Sequence, residues 1–272
     1  MNTGYHKFIY VSLLLISGSL NALKINPWGE TTKKETISLN KKVDKQCEIS
    51  IHNISGSISI TASTRDKIIL EATKIGSKKS LESTQVTMNL NGNKVDIKTI
   101  QTIKEPNTKE CEVSYIIAIP KTARLASVDT FAGSITITDS QGAVATTRKG
   151  TIDVKNSTGP IEVSTETGSI TISCPHLISG QQVTAVTGKG DITMTVPQQT
   201  VASIEARTKN GFVSSKLPVC TKPQPFKEYN KKTVAKLSQT MSGTFGDRFS
   251  EEPELPMVNL ITDSGNIKVI KV

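Results

Sequence analysis

The sequence predicts an all-β protein whose main body is a parallel β-solenoid, a β-helix with coils of about 20 residues. Three observations lead there. "TFAGSITI" (130–137) returns nearly unchanged as "TGSITI" (167–172) and "SGSISI" (55–60). Aromatic residues make up only 4% and hydrophobic ones 36% of the 272 residues, too lean for a thick enzyme-like core. The remaining apolar and small polar positions are dominated by Val, Ile, Thr and Ser, which suit strands.

The repeat aligns on Gly133, Gly150, Gly168, Gly190, Gly211 and Gly265. Three positions earlier stand Thr130, Thr147, Thr165, Thr187, Thr208 and Thr262. Apolar residues hold the positions five and seven before the glycine, from Val128 and Ala126 in the first copy to Leu260 and Val258 in the last. Two positions after it come Ile135, Ile152, Ile170, Ile192, Val213 and Ile267; four after, the apolar column loosens at Ser215. A seventh copy around Gly56 fits, with Asn53 in place of the threonine. Alternation on both sides marks two short strands, each with one face buried, joined at a corner where the glycine needs positive φ or has no room for a side chain. The threonine has inward parity, so its hydroxyl is expected to satisfy a backbone group of the turn and to stack in a ladder. The glycines lie 17, 18, 22, 21 and then 54 residues apart. A unit this short cannot bury its own face and must stack on its neighbours. A sandwich of hairpins is the alternative, but hairpin turns do not require Thr and Gly at the same two columns in every copy.

Taken in order, residues 1–22 read as a secretory signal peptide: a basic start at Lys7, an apolar core from Phe8 to Leu20, and Ala22 as the small residue at the cut. That core is too short for a comfortable transmembrane helix, and no second apolar span follows. Residues 23–45 read as a loose polar leader. Residues 46–120 alternate well but repeat poorly, with strands expected at 46–52, 57–61, 67–73, 84–90, 93–99 and 111–119 and a hairpin turn at Asn91-Gly92. This block is expected to supply the first coil and an antiparallel cap over the solenoid's first edge. Residues 121–272 carry the stacked coils, interrupted at 217–257 by a Pro- and Lys-rich loop expected to project from the rod, with a strand at "KTVAKLSQT".

The chain is basic, with net charge +9, but the charge is interleaved with acids and lacks a dense stripe with aromatic platforms, which argues against nucleic-acid binding. Cys47 in "KQCEISI" and Cys111 in "KECEVSY" have similar surroundings, so a bridge between neighbouring strands and a pair of buried free thiols are both open. No CxxC and few histidines leave no metal site, and no cofactor motif is present; "TGKGD" and "GTFGDR" lack the strand–loop–helix context of a phosphate loop. The outward acids Asp153, Glu162, Glu166, Asp191 and Glu205 alternate with basic residues and form no forced pair, so no catalytic residue is assigned. Outward Thr pairs such as Thr136 and Thr138 offer a weak pattern for ordering water and ice.

The stretches "IPKTARLASVDTFAGSITI", "STGPIEVSTETGSITI", "VPQQTVASIEARTKNGFV" and "LITDSGNIKVIK" resemble the bacterial putative-adhesin domains of unknown function, including the head-GIN domains. The resemblance covers residues 46–272; the 217–257 insertion and the four cysteines depart from it. It implies an exported β-solenoid of the bacterial envelope or surface, and it brings no catalytic residues. The expected function is therefore a non-enzymatic, adhesin-like binding module, in the periplasm, on the cell surface or secreted, without a membrane span once the signal is cut. Its partner would be an envelope glycan, an anionic surface or another protein. Lys222, Lys227, Lys231, Lys232 and Lys236 make the long loop the candidate anionic-binding surface. A structural envelope component, or a carbohydrate-active enzyme on a β-helix, are the competing classes.

Overall fold

The computed structural model describes residues 21–25, 31–44, 46–102, 110–217, 219–221, 239–245 and 255–272. The regular structure of the described residues is nearly all strand, arranged as two sheets of eleven strands each. The N-terminal part holds β1 (Asn21–Ile25), β2 (Thr31–Lys42), β3 (Glu48–Ser55), β4 (Ile58–Ser63), β5 (Lys67–Gly76), the short helix α1 (Lys78–Glu82), β6 (Thr84–Asn91), β7 (Lys94–Gln101) and β8 (Glu112–Pro120). The repeats follow as pairs: β9 (Arg124–Ala132) and β10 (Ile135–Thr138), β11 (Ala143–Lys149) and β12 (Ile152–Lys155), β13 (Ile161–Thr167) and β14 (Ile170–Ser173), β15 (Gln182–Lys189) and β16 (Ile192–Val196), β17 (Ala202–Asn210) and β18 (Val213–Ser215). Then come β19 (Val219–Thr221), β20 (Gln239–Phe245), β21 (Met257–Ser264) and β22 (Ile267–Lys271).

The first sheet runs β1-β2-β5-β8-β4-β10-β12-β14-β16-β22-β18, and the second runs β19-β20-β17-β21-β15-β13-β11-β9-β3-β7-β6. From β8 to β18 in the first sheet, and from β7 to β17 in the second, all neighbours are parallel. The pairings outside those runs are antiparallel, so both sheets are mixed rather than uniformly parallel, and they do not close. Alternation decides the packing: β13 reads buried–exposed–buried, its inward Ile161 and Val163 join one apolar core shared by the two sheets, and Thr165 is buried beside the corner.

Each corner glycine sits where no other residue fits. Gly168 has φ 146°, and a Cβ on it would lie 2.0 Å from the carbonyl oxygen of Gly150 in the neighbouring layer. The same contact, at 2.0–2.1 Å, recurs at Gly133, Gly150, Gly190, Gly211 and Gly265; Gly56 meets the carbonyl of Val113 instead. The glycine column is thus a line of backbones stacked too closely for any side chain.

The threonine column locks the same corners. Thr147, Thr165 and Thr187 donate their hydroxyls to the carbonyls of Gly133, Gly150 and Gly168 in the adjoining layer, at 3.0, 3.1 and 2.8 Å. At the first copy, Asn53 Nδ2 reaches the Val113 carbonyl at 2.7 Å, the equivalent acceptor one layer below. Its Oδ1 accepts from Thr99, which also bonds the buried Tyr115 hydroxyl. Thr130 alone in the column has a buried hydroxyl with no partner, and the Gly56 carbonyl it would address already receives Asn53 Nδ2 at 3.3 Å.

Several expectations need correction. The order of layers is not the order of the chain. β3–β4 lies between β7–β8 and β9–β10, and the last repeat, β21–β22, lies between β15–β16 and β17–β18. The 31–42 part of the supposed loose leader is β2, which pairs with β5 over ten positions and is anchored by the Glu35–Lys74 ion pair at 2.9 Å. Its Lys-rich composition hid an alternating Ile37 and Leu39 that pack on the core. Ala126 does not face inward: it is the extra residue of a β-bulge in β9, opposite Ile49 and Ser50, and Leu125 faces inward instead. The projecting loop at 217–257 is in part sheet, since β20 pairs antiparallel with β17 and β19 pairs with β20. Cys47 and Cys111 are buried free thiols, not a bridged pair. Their surroundings look alike because each begins an alternating strand, but β3 and β8 belong to different sheets. The expected strands of the 46–120 block stand within a few residues of their predicted places, and Gly92 takes φ 59° at the hairpin turn.

Candidate functional site

The outward face of the second sheet carries a trough. Alternation places every second residue outward, and parallel in-register stacking lines those residues up into rows that run across the strands. One row is His52, Asp129, Thr146 and Ser164, on β3, β9, β11 and β13. The next row, two positions along each strand, is Phe131, Arg148 and Glu166. Between them the strand segments at Thr130, Thr147 and Thr165 form the floor of an open cavity of about 550 Å³. Four strands at ~4.8 Å spacing give a length of roughly 15 Å, and two residues along a strand give a width of about 7 Å.

The groups in the trough are already paired with one another. His52 Nδ1 lies 3.1 Å from Asp129 Oδ2. Arg148 Nε donates to Glu166 Oε2 at 2.7 Å, and its guanidinium stands 5.1 Å from the centre of the Phe131 ring. The Thr146 and Ser164 hydroxyls are 3.2 Å apart. Phe131 is 49% exposed and is the one aromatic at its repeat position. At β15 the rows change to Val186 and Gly188, which ends the polar lining. The trough is therefore amphipathic: one ring, hydroxyls, the Arg148–Glu166 ion pair and the His52–Asp129 contact.

The acids singled out from the sequence do not converge. Glu166 is in the trough. Asp153 faces out from the first sheet, 2.7 Å from Lys155. Glu205 pairs with Arg207 at 3.0 Å. Asp191 accepts the Asn266 backbone N–H at 2.7 Å at the corner, and Glu162 is exposed on β13. Asp129, the second carboxylate of the trough, sits two strands from Glu166 and is taken up by His52. Among the described residues no three His, Cys, Asp or Glu side chains gather as a metal site. A smaller cavity of about 330 Å³ lies at the opposite corner, where Asp139 and Asn156 stack with φ 60° and 55° and share a 3.1 Å hydrogen bond.

Lys222, Lys227, Lys231, Lys232 and Lys236 lie outside the described residues, as do residues 1–20 of the expected signal peptide. No helix among the described residues is long and apolar enough to cross a membrane. The sequence alone singles out none of His52, Asp129, Phe131 and Arg148 as functional. The signal was present as a column: reading the residues just before and just after each threonine down the stack spells both rows.

No family model matches the chain, and no curated protein matches it. Among solved structures it is similar to a putative cell adhesion protein from Clostridium sporogenes (TM-score 0.47, 11% identity, covering 87% of this chain and 100% of that one). It is also similar to a putative adhesin from Bacteroides fragilis (TM-score 0.40, 15% identity, 87% and 97%). A third likeness is to a putative lipid binding protein from Parabacteroides distasonis (TM-score 0.29, 12% identity, 87% and 97%).

Proposed function

We propose that this chain is an exported, non-enzymatic, adhesin-like binding module of the bacterial cell envelope or surface. The parallel runs of the two sheets are coils of a β-solenoid, and the trough on the second sheet receives the ligand. The observation that carries this reading is the trough's lining. Because His52, Asp129, Arg148 and Glu166 satisfy one another, an anion would have to pull Arg148 from Glu166, whereas a neutral chain rich in hydroxyls would not. Such a chain could lay an apolar sugar face on Phe131 and exchange hydrogen bonds with Thr146, Ser164 and the carboxylates. An uncharged glycan is thus the favoured ligand class. Export rests on the signal-like start of the sequence and on the family resemblance.

Two features favour binding over end-to-end assembly. The antiparallel strands β5-β2-β1 and β20-β19 cover the outer layers of the stack. At β18, the edge backbone N–H of Val213 donates to Gln239 Oε1 at 2.9 Å. The test is glycan and anionic-lipid binding by the purified protein, its Phe131→Ala variant and a Phe212→Ala control, at low and high salt. Phe212 is 61% exposed at the far end of the stack and outside the trough. Saturable binding of neutral glycans that survives salt, and falls about tenfold or more only in Phe131→Ala, is expected. Unselective binding that salt abolishes and both variants retain would assign all attraction to the net charge and remove the reading.

A further inference from the structure

The position of the last repeat points to a partner. β21–β22 is held on both sides by layers that precede it in the chain: Val183, Thr187 and Ile192 on one side, Ile204, Thr208 and Val213 on the other. Its Val258, Leu260, Ile267 and Val269 are buried. The β17–β18 layer repeats most of the same columns, with Ser215 as the exception, so its inner face is a near match for β15–β16 as well as for β21–β22. The last repeat thus fills a slot whose two walls are both built from earlier residues of the chain.

We infer that the slot between β15–β16 and β17–β18 also accepts the C-terminal repeat of a second copy of this chain, giving a reciprocally exchanged dimer. The contacts inside the slot are identical whether β21–β22 comes from the same chain or from another, because the sequence is the same. Only the connection differs. Eleven residues, 246–256, join β20 to β21, and when extended they reach roughly 40 Å, several times the spacing between layers. The balance then depends on effective concentration: the tethered repeat wins in dilute solution, and the exchanged form gains as protein concentration rises during folding. Once formed, the dimer persists, since release requires breaking two parallel ladders at once.

The test uses the full chain unfolded and refolded at low and at high protein concentration, then sized by chromatography with light scattering. A parallel sample carries Glu205→Cys and Asn259→Cys, outward partners on β17 and β21, joined by a short bismaleimide. A dimer fraction that rises with refolding concentration, carrying cross-links between chains, is expected, with cross-links within the chain in the monomer. Monomer alone at every concentration would overturn the inference. So would a dimer whose 205–259 cross-links all remain within one chain. If the double variant does not fold, co-refolding wild-type chains with and without an isotope label decides by native mass spectrometry: a mixed-label dimer that withstands dilution supports exchange, and its absence or prompt dissociation refutes it.

Discussion

The hydroxyl of Thr208 donates to the carbonyl of Gly265 at 2.9 Å, although 57 positions separate them in the chain. Thr262, in turn, donates to Gly190 at 3.1 Å. These two bonds record the insertion of the last repeat in the same corner ladder that ties consecutive copies together. The corner is thus a general coupling device, indifferent to which copy supplies the next layer.

Thr187→Val removes one rung of that ladder. Valine keeps the shape but leaves the Gly168 carbonyl without its partner, so a loss of about 1–2 kcal/mol in denaturant unfolding is expected. Thr130→Val is the contrast, because the Thr130 hydroxyl is buried with no partner; it is expected to be neutral or to stabilise. Equal losses in both variants would show that the ladder bonds contribute nothing of their own.

Gly168→Ala and Gly92→Ala separate crowding from backbone preference. Both glycines have positive φ, but alanine at 168 meets the Gly150 carbonyl oxygen at 2.0 Å, whereas nothing lies within 4 Å of a Cβ at 92. The first is expected to lose roughly 3 kcal/mol or more, or to fail to fold. The second is expected to lose about 1–2 kcal/mol. Thermal and urea unfolding of the two proteins measure the difference.

Stability is expected to fall in alkali. Burial pushes the Cys174 thiol from 9.0 up to about 11, and burial, partly offset by its bond to Thr99, pushes the Tyr115 phenol from 10.0 to about 12. Both groups hold their protons more tightly when folded, so the folded state is undisturbed below pH 9 and loses stability as pH rises through 9 to 12. For Cys174 alone this amounts to roughly 2–3 kcal/mol by pH 11. Cys174→Ala, followed by urea titration at pH 8 and pH 10.5, should flatten the lower part of that slope. An unchanged slope would count against it. Cys47 and Cys111 are also raised by burial, so alkylation mapped by mass spectrometry should find all three thiols slow to react in the native protein.

Lys74→Met tests whether β2 belongs to the folded body. Lys74 Nζ is buried against Glu35 and bonds the carbonyls of Leu81 and Thr84 at 3.1 Å each. Its loss strands both carbonyls and the half-buried Glu35, and about 2–4 kcal/mol is expected to go with it. Hydrogen exchange should then rise first in β2, β5 and α1. Uniform exchange across the molecule would argue that the block has no separate unit.

Local pattern by itself determined much of this protein. Alternation at Ile49, Ile51, Ile58 and Ile60 and its recurrence through Val269 marked the strands and their buried faces, because side-chain parity is a property of each strand alone. Gly133 to Gly265 marked the corners, because stacking imposes the same steric demand on every copy. Order was different. Equivalent columns make any copy a fit neighbour for any other, so the sequence could not say that the Gly265 copy sits between those of Gly190 and Gly211. One sign was legible: Ser215 breaks the apolar column on β18, the strand that ends the first sheet and has a neighbour on one side only. The trough also belonged to the tertiary structure. His52 and Asp129 are 77 positions apart and become partners only when β3 and β9 align, since contact across strands depends on register and not on distance along the chain.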